Sequence, residues 1–333
     1  MAPSKPTPSF TSSSVTVQSE NEYEDLLGLW SDLEAGLGII LASPGSIQEF
    51  DKRVLQYDRW MQALLKHDAD VGLYLLFQLA TNSSVGYSAS HALVCAVLCH
   101  LIAVELQISP EERNSLVHAA LTMNIAMTTV QDELAGQTEK PTPKQVEVIQ
   151  SHAFKGGLML ANLKVVDELW LDIISIHHDD KTEKGSLRLI PPADRLARIL
   201  RTIDRYAAMI SPRKSRSGRS TAESVRSIIS GAADKSDDVG HSLIRAVGLY
   251  PPGSFVRMDT GEVAVVMRRS SKVSLPHVAI VIDAQGKSER HPRLHPTAAT
   301  ESKIEAAIAA SAVHLRLNHH LILQLGASTA QQA

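Results

Sequence analysis

Five polar side chains stand inside otherwise apolar segments: His91 in Tyr-Ser-Ala-Ser-His-Ala-Leu-Val, His152 in Ile-Gln-Ser-His-Ala-Phe-Lys-Gly-Gly, His177 and His178 in Ile-Ile-Ser-Ile-His-His-Asp-Asp, and Asp204 in Ile-Leu-Arg-Thr-Ile-Asp-Arg-Tyr-Ala-Ala-Met. Imidazole nitrogen and carboxylate oxygen are ligands that divalent transition metals favour. A single histidine on an apolar face is ordinarily a hydrogen-bonded core residue. Four of them with an aspartate read also as a metal site, and three histidines with an open position suit zinc or iron. A second chemical candidate is the loop Ser-Pro-Arg-Lys-Ser-Arg-Ser-Gly-Arg-Ser at 211–220. Its Arg213, Lys214, Arg216 and Arg219 read either as a solvated basic loop or as a phosphate clamp, because guanidinium groups bond phosphate oxygens in pairs.

The elements that must position these groups are helical. From about Glu20 to Asn82 apolar residues recur every three or four positions, with Leu26, Leu29, Trp30, Leu33 and Leu37 first and Val54, Tyr57, Met61, Leu64 and Leu65 later. Ser43-Pro44-Gly45-Ser46 divides them, and Ser46 with Glu49 predicts a capping box for the second helix. His91 opens the most apolar helix, hydrophobic nearly all round and therefore buried. Ser109-Pro110-Glu111-Glu112 predicts the start of the next, which runs to about Met123. Thr142 and Gln145 predict a capping box for the helix of His152, whose Gly156-Gly157 permits close helix approach. The histidine doublet falls at a helix C-terminus, and Asp194 to Met209 forms the helix of Asp204. After Tyr250-Pro251-Pro252-Gly253 two β-branched runs bounded by glycine turns predict a small antiparallel sheet, and Glu301 to Leu325 reads as helix again, with a frayed tail from Gly326.

Length and composition bound the rest. The 333 residues, 44% of them hydrophobic, hold two ordinary domains at most, and 33 basic against 36 acidic residues argue against an electrostatic binder of nucleic-acid polymers. Cys95 and Cys99 provide neither a disulfide framework nor a four-cysteine zinc site, and read as core residues in a reducing cytoplasm. No apolar run long enough to span a membrane is expected. The Pro-, Ser- and Thr-rich start reads as a disordered tail over 1–19.

With these residues in view, the stretch from about His91 to Asp283 resembles the HD superfamily of metal-dependent phosphohydrolases, and within it the HD-GYP group of bacterial cyclic di-GMP phosphodiesterases. The resemblance rests on Ala-Arg-Ile-Leu-Arg-Thr-Ile-Asp204-Arg-Tyr-Ala-Ala-Met-Ile-Ser-Pro-Arg213, on His152 followed by Gly156, and on Gly248-Leu-Tyr-Pro-Pro-Gly-Ser-Phe-Val-Arg-Met ahead of Gly-Glu-Val-Ala-Val-Val. It implies a mainly α fold: a disordered tail (1–19), an N-terminal helical module (20–84), an HD-type helical bundle (85–248), a small β-rich extension (249–296) and a C-terminal helix and tail (297–333). It also implies His91, His152, His177, His178 and Asp204 as metal ligands, Arg213 and Arg216 as phosphate contacts, and a metal-activated water as nucleophile.

The departures are as specific as the likeness. The histidine-aspartate doublet that names the superfamily is replaced by Met123-Asn124, and Met127 stands where the group has lysine. The Gly-Tyr-Pro loop gives way to Asp-Asp-Lys-Thr-Glu-Lys-Gly-Ser after His178. The family's bridging aspartate is thereby lost. The reading that follows is a degenerate, cytoplasmic signalling protein that binds cyclic di-GMP, another phosphate ester or a partner protein, holds one divalent metal (iron, manganese or zinc) or none, and forms a homodimer through its N-terminal helices. The alternatives are an active metal-dependent phosphodiesterase with a reduced site, and a helical adaptor without ligand.

Overall fold

The computed structural model describes residues 20–82, 85–179, 186–215, 217–231 and 238–330. The tail over 1–19 and Arg216 lie outside them. Three helices come first: α1 (Glu20–Ala42), α2 (Phe50–His67) and α3 (Ala69–Asn82). Trp30, Leu33 and Leu37 of α1 are fully buried, and a Cβ on Gly72 of α3 would meet the Trp30 ring at 2.8 Å. A side chain there would push the two helices apart. The capping box expected at Ser46 does not form. Ser46 Oγ instead donates to Ser43 O in a 3₁₀ turn, and α2 begins at Phe50 after Glu49 in the left-handed region. The Ser-Pro-Gly-Ser turn uses the serine for its own closure, a competition that short polar side chains enter readily.

The bundle follows as α4 (Tyr87–Glu105), α5 (Pro110–Thr122), α6 (Thr128–Gly136), α7 (Pro143–Asn162), α8 (Glu168–Ile176), α9 (Pro192–Ile210), α10 (Thr221–Gly231) and α11 (Asp238–Val247). The caps at Ser109 and Thr142 form as expected, the latter with its reciprocal Gln145 bond. α4 has the length and composition to cross a membrane, with mean hydropathy 1.7, contrary to the expectation that no segment would. It is buried from Ser88 to Cys99, which makes it the central helix of the bundle. α7 ends in a Schellman turn: Lys164 takes φ 65°, Val165 N donates to Leu160 O and Lys164 N to Ala161 O. Asp167 then caps α8 by accepting from Trp170 N, and accepts from Ser115 Oγ of α5 at 2.7 Å. α7 and α8 are thus folded back on each other and fixed to α5.

The extension is a five-stranded antiparallel sheet in the order β4-β3-β2-β1-β5, from β1 (Phe255–Met258), β2 (Val263–Arg268), β3 (His277–Ile282), β4 (Ser288–Pro296) and β5 (Ile304–Ile308). Alternate residues serve different cores: Phe255, Val265, Met267, Ala279 and Val281 join the main core, while Val256, Met258, Ala264, Val266, Val278 and Ile280 form a second one. β5 corrects the sequence reading, which took 301–325 as one helix. Its residues pair with the edge of β1, Phe255 opposite Ile308 and Val256 opposite Ala307. The helix preference of alanine is worth only tenths of a kcal/mol per residue, and an open strand edge outweighs it. The last helix, α12 (His319–Ala330), is correspondingly later, leaves His314 outside it, and keeps Gly326–Ala330 helical.

The sheet is docked on the N-terminal module. Gly253, at φ 88°, brings its backbone against Tyr74 so closely that a Cβ would lie 2.7 Å from the Tyr74 carbonyl. Gln78 Nε2 donates to Gly253 O at 2.8 Å, Arg268 reaches Asp68 just ahead of α3 at 2.7 Å, and Arg269 reaches Asp70 of α3 at 2.5 Å.

Candidate metal centre

Close packing of α7 on α8 creates the site. Gly156 and Gly157 lie against Ile174 and Ser175, where a Cβ on Gly157 would sit 2.5 Å from Ser175 Oγ. His152, one turn before Gly156, therefore meets the C-terminal end of α8, where His177 and His178 follow the last turn. The ring centroids are 5.3 Å apart for His152 and His177, 5.0 Å for His152 and His178, and 4.0 Å for the doublet. One nitrogen from each ring lies within 4.8 Å of the others.

Hydrogen bonding fixes two of the three tautomers. His152 Nδ1 bonds Ile149 O and His177 Nδ1 bonds Ile174 O, each at 2.6 Å. A carbonyl only accepts, so both Nδ1 atoms carry the proton and both Nε2 atoms present lone pairs. Among the described residues neither buried Nε2 has a hydrogen-bond partner, in residues only 3% and 1% exposed. An unsatisfied buried polar atom costs about 1–3 kcal/mol, and a cation bound by both would relieve it. Burial, reinforced by His178, lowers the His177 pKa to about 3, and burial also lowers that of His152. Both rings are neutral, as metal ligands must be.

A second group forms where α4 faces α9. His91 Nε2 lies 2.8 Å from Asp204 Oδ1 and 3.6 Å from Cys95 Sγ, and the three ligand atoms converge within 4.8 Å. Burial opposes the Asp204 charge, but the hydrogen bond from His91 and the neighbouring His91, His177 and His178 rings outweigh it and hold the carboxyl at about 2. His91 Nδ1 has no partner, so no outer hydrogen bond orients this ring as the carbonyls orient His152 and His177. The sequence reading of His152, His177 and His178 as one position and of His91 with Asp204 as another matches these two groups. Cys95, read from the sequence as a core residue, is wholly buried in the main core, and its four-residue spacing from His91 also places its sulfur beside that ring.

The sequence reading missed Tyr87. Its ring stacks on His91 at 5.4 Å and 14°, and its hydroxyl accepts from Arg213 Nη2 at 2.9 Å. Arg213, with its guanidinium carbon 4.8 Å from the Tyr87 ring centre, is thereby held beside the second group. The loop after His178 lies outside the described residues from 180 to 185. Met123 ends α5, is 1% exposed, and has its carbonyl 3.8 Å from the position of a Cβ on Gly156. The turn carrying Met123 and Asn124 thus abuts the helix of His152. Met127 is buried as well.

No family model matches the chain. It is 27% identical over 233 residues, 69% of its length, to a cyclic di-GMP phosphodiesterase of Pseudomonas aeruginosa, and it spans about half (55%) of that relative's length. Among solved structures it is similar to an HDG"Y"P protein from Bdellovibrio bacteriovorus, with a TM-score of 0.48 and 13% identity over 67% of this chain and 70% of that one. The chain is thus similar in sequence to a cyclic di-GMP phosphodiesterase over about two thirds of its own length, and its histidine and aspartate side chains converge in two groups that could each hold a metal ion.

Proposed function

We propose that this chain is a cytoplasmic cyclic di-GMP signalling protein that binds the dinucleotide, or a related phosphate ester, without hydrolysing it efficiently. The observation that carries the reading is the turn at Met123-Asn124, packed against α7 with Met123 buried and Asn124 half-buried and with no charged side chain to offer. Two dications about 4 Å apart repel by roughly 16 kcal/mol at an effective dielectric of about 20, four times the unit-charge figure. A thioether and a neutral amide do not offset that, so the paired-metal arrangement that activates water between two cations lacks its bridge. The histidine triad retains its ligands for one cation.

A bound divalent cation supplies a positive charge that draws in a phosphate oxygen. The chain's own contribution is positioning: Tyr87 orients Arg213, whose guanidinium bonds a second phosphate oxygen, while α4 excludes water from behind the site. Both cysteines are free thiols, which supports a reducing compartment.

A second reading, a working phosphodiesterase with a reduced metal site, is favoured by the unpartnered Nε2 atoms of His152 and His177. One experiment separates the two. Anaerobically purified protein, supplied with ferrous iron or manganese, is incubated with cyclic di-GMP, the products are chromatographed, and binding is followed by calorimetry. Binding with intact nucleotide is the expected result. Catalytic formation of linear dinucleotide or GMP, lost on His177→Ala with His178→Ala, would establish the hydrolase instead.

A further inference from the structure

We infer that Cys95 is a metal ligand, and that His91, Cys95 and Asp204 form a thiolate-containing position selective for zinc or ferrous iron over manganese, separate from the all-imidazole position of His152, His177 and His178. The inference rests on the reading of this centre as metal-binding.

The geometry of the second group carries it. Cys95 follows His91 by one turn of α4, so both side chains lean over the same patch of the helix surface. Cys95 Sγ stands 3.6 Å from His91 Nε2. That separation is long for a strong hydrogen bond. It fits the edge of a tetrahedron whose vertices lie about 2.3 Å (sulfur) and 2.0–2.1 Å (nitrogen) from a central ion, an edge of roughly 3.5 Å. Asp204 Oδ1, 2.8 Å from the same nitrogen, supplies a third vertex after a small separation of the two. His91 is 2% exposed and Cys95 wholly buried, whereas the Asp204 side chain keeps 20% of its exposure. The fourth vertex is therefore available from the Asp204 side, next to Arg213 and Tyr87.

Chemistry then sets the preference. Sulfur ligands favour zinc, copper(I) and iron, whereas manganese prefers oxygen-rich sets. On coordination the Cys95 thiol gives its proton to solvent and the sulfur binds as thiolate. Cys99, one turn further on, is not among the converging atoms and serves as the control.

The test is a cobalt(II) titration of the metal-free protein, read by absorption. A near-ultraviolet thiolate-to-cobalt band is expected, lost in Cys95→Ser, kept in Cys99→Ser, and kept in His152→Ala with His177→Ala. Cobalt ligand-field bands without any thiolate band would overturn the role of Cys95 and leave metal binding intact. Absence of every cobalt band would remove the metal-binding reading, and this inference with it. A band that survives Cys95→Ser and disappears in Cys99→Ser would overturn the assignment to Cys95. Zinc-edge X-ray absorption on the unaltered protein gives a reading independent of how the variants fold. A sulfur shell at about 2.3 Å is expected, and nitrogen and oxygen shells alone would overturn the inference.

Discussion

His152 and His177 make the same hydrogen bond: each ring donates Nδ1–H to the carbonyl three residues earlier, at 2.6 Å, and each leaves its Nε2 buried and unpartnered. Two rings from different helices are thus held in one tautomer with their lone pairs free. Outer-sphere bonds of this kind are what orient metal-ligating imidazoles.

Removal of the ligand without removal of its volume tests this directly. His177→Phe is expected to abolish binding of zinc or ferrous iron at the triad while changing the stability of the metal-free protein by no more than about 1 kcal/mol, since the change also removes an unsatisfied nitrogen. Thermal melts provide the check. Metal at a hundred times its dissociation constant stabilises the native protein by about 2.7 kcal/mol, and the variant melt is expected not to respond to the triad's share of that gain.

Restoring the pair tests the proposed loss of hydrolysis. Met123→His with Asn124→Asp is expected to raise cyclic di-GMP turnover from the detection limit to a measurable rate. Equal turnover in native and restored protein would show that the bridging aspartate is not what limits this site.

Arg213 is expected to matter for nucleotide affinity and little for the fold. Arg213→Ala removes a hydrogen bond from a charged donor, worth about 1.5–3 kcal/mol, and is expected to weaken cyclic di-GMP binding by roughly ten- to a hundredfold in calorimetry. Arg213→Lys is expected to recover only part of this, because the ammonium lacks the planar fork. Tyr87→Phe, which frees the guanidinium from its 2.9 Å contact, gives a smaller loss.

Acidification is expected to loosen the C-terminal helix. His319 is half-buried on α12, bonds the Tyr74 hydroxyl through Nδ1 at 2.9 Å, and has its pKa lowered from 6.5 by burial. The unfolded chain therefore takes up a proton near pH 6.5 while the folded chain stays neutral. The contribution to stability is full above that pH, declines below it, and levels off beneath the lowered folded value. The protection factors of the α12 amides, which correct for the intrinsic slowing of exchange by acid, are expected to fall between pH 8 and pH 5 in the native protein more than in His319→Gln (roughly the span over which histidine titrates).

Most of the bundle was legible in the sequence because its signals are local. The caps at Ser109 and Thr142, the glycine pair of α7 and the unbroken apolar run of α4 each act within a few residues, and the structure follows them, though not at Ser46. That His152, His177 and His178 would converge, and His91 with Asp204, was legible through the resemblance and the helix assignments together. What the sequence hid depends on distant partners. The strand at Ile304–Ile308 exists because β1 offers an open edge, not because its own residues favour extension. Tyr87 gains its role only when Arg213, 126 residues later, folds back to it. Cys95 looks like any buried thiol until Asp204 arrives from α9.

The docking of the sheet on α3, and of α12 beside α1, gives the polypeptide the topology of a closed ring rather than of a line with two free ends. Neither the first helix nor the last can peel away without exposing core residues of the other, because Trp30 and Leu33 belong to the same core as Ile322 and Leu323. Joining α12 to α1 through a flexible linker, and opening the ring at a surface turn such as Gly286, is therefore expected to yield a permuted protein that keeps the grouping of His152, His177 and His178, which is built by α7 and the end of α8.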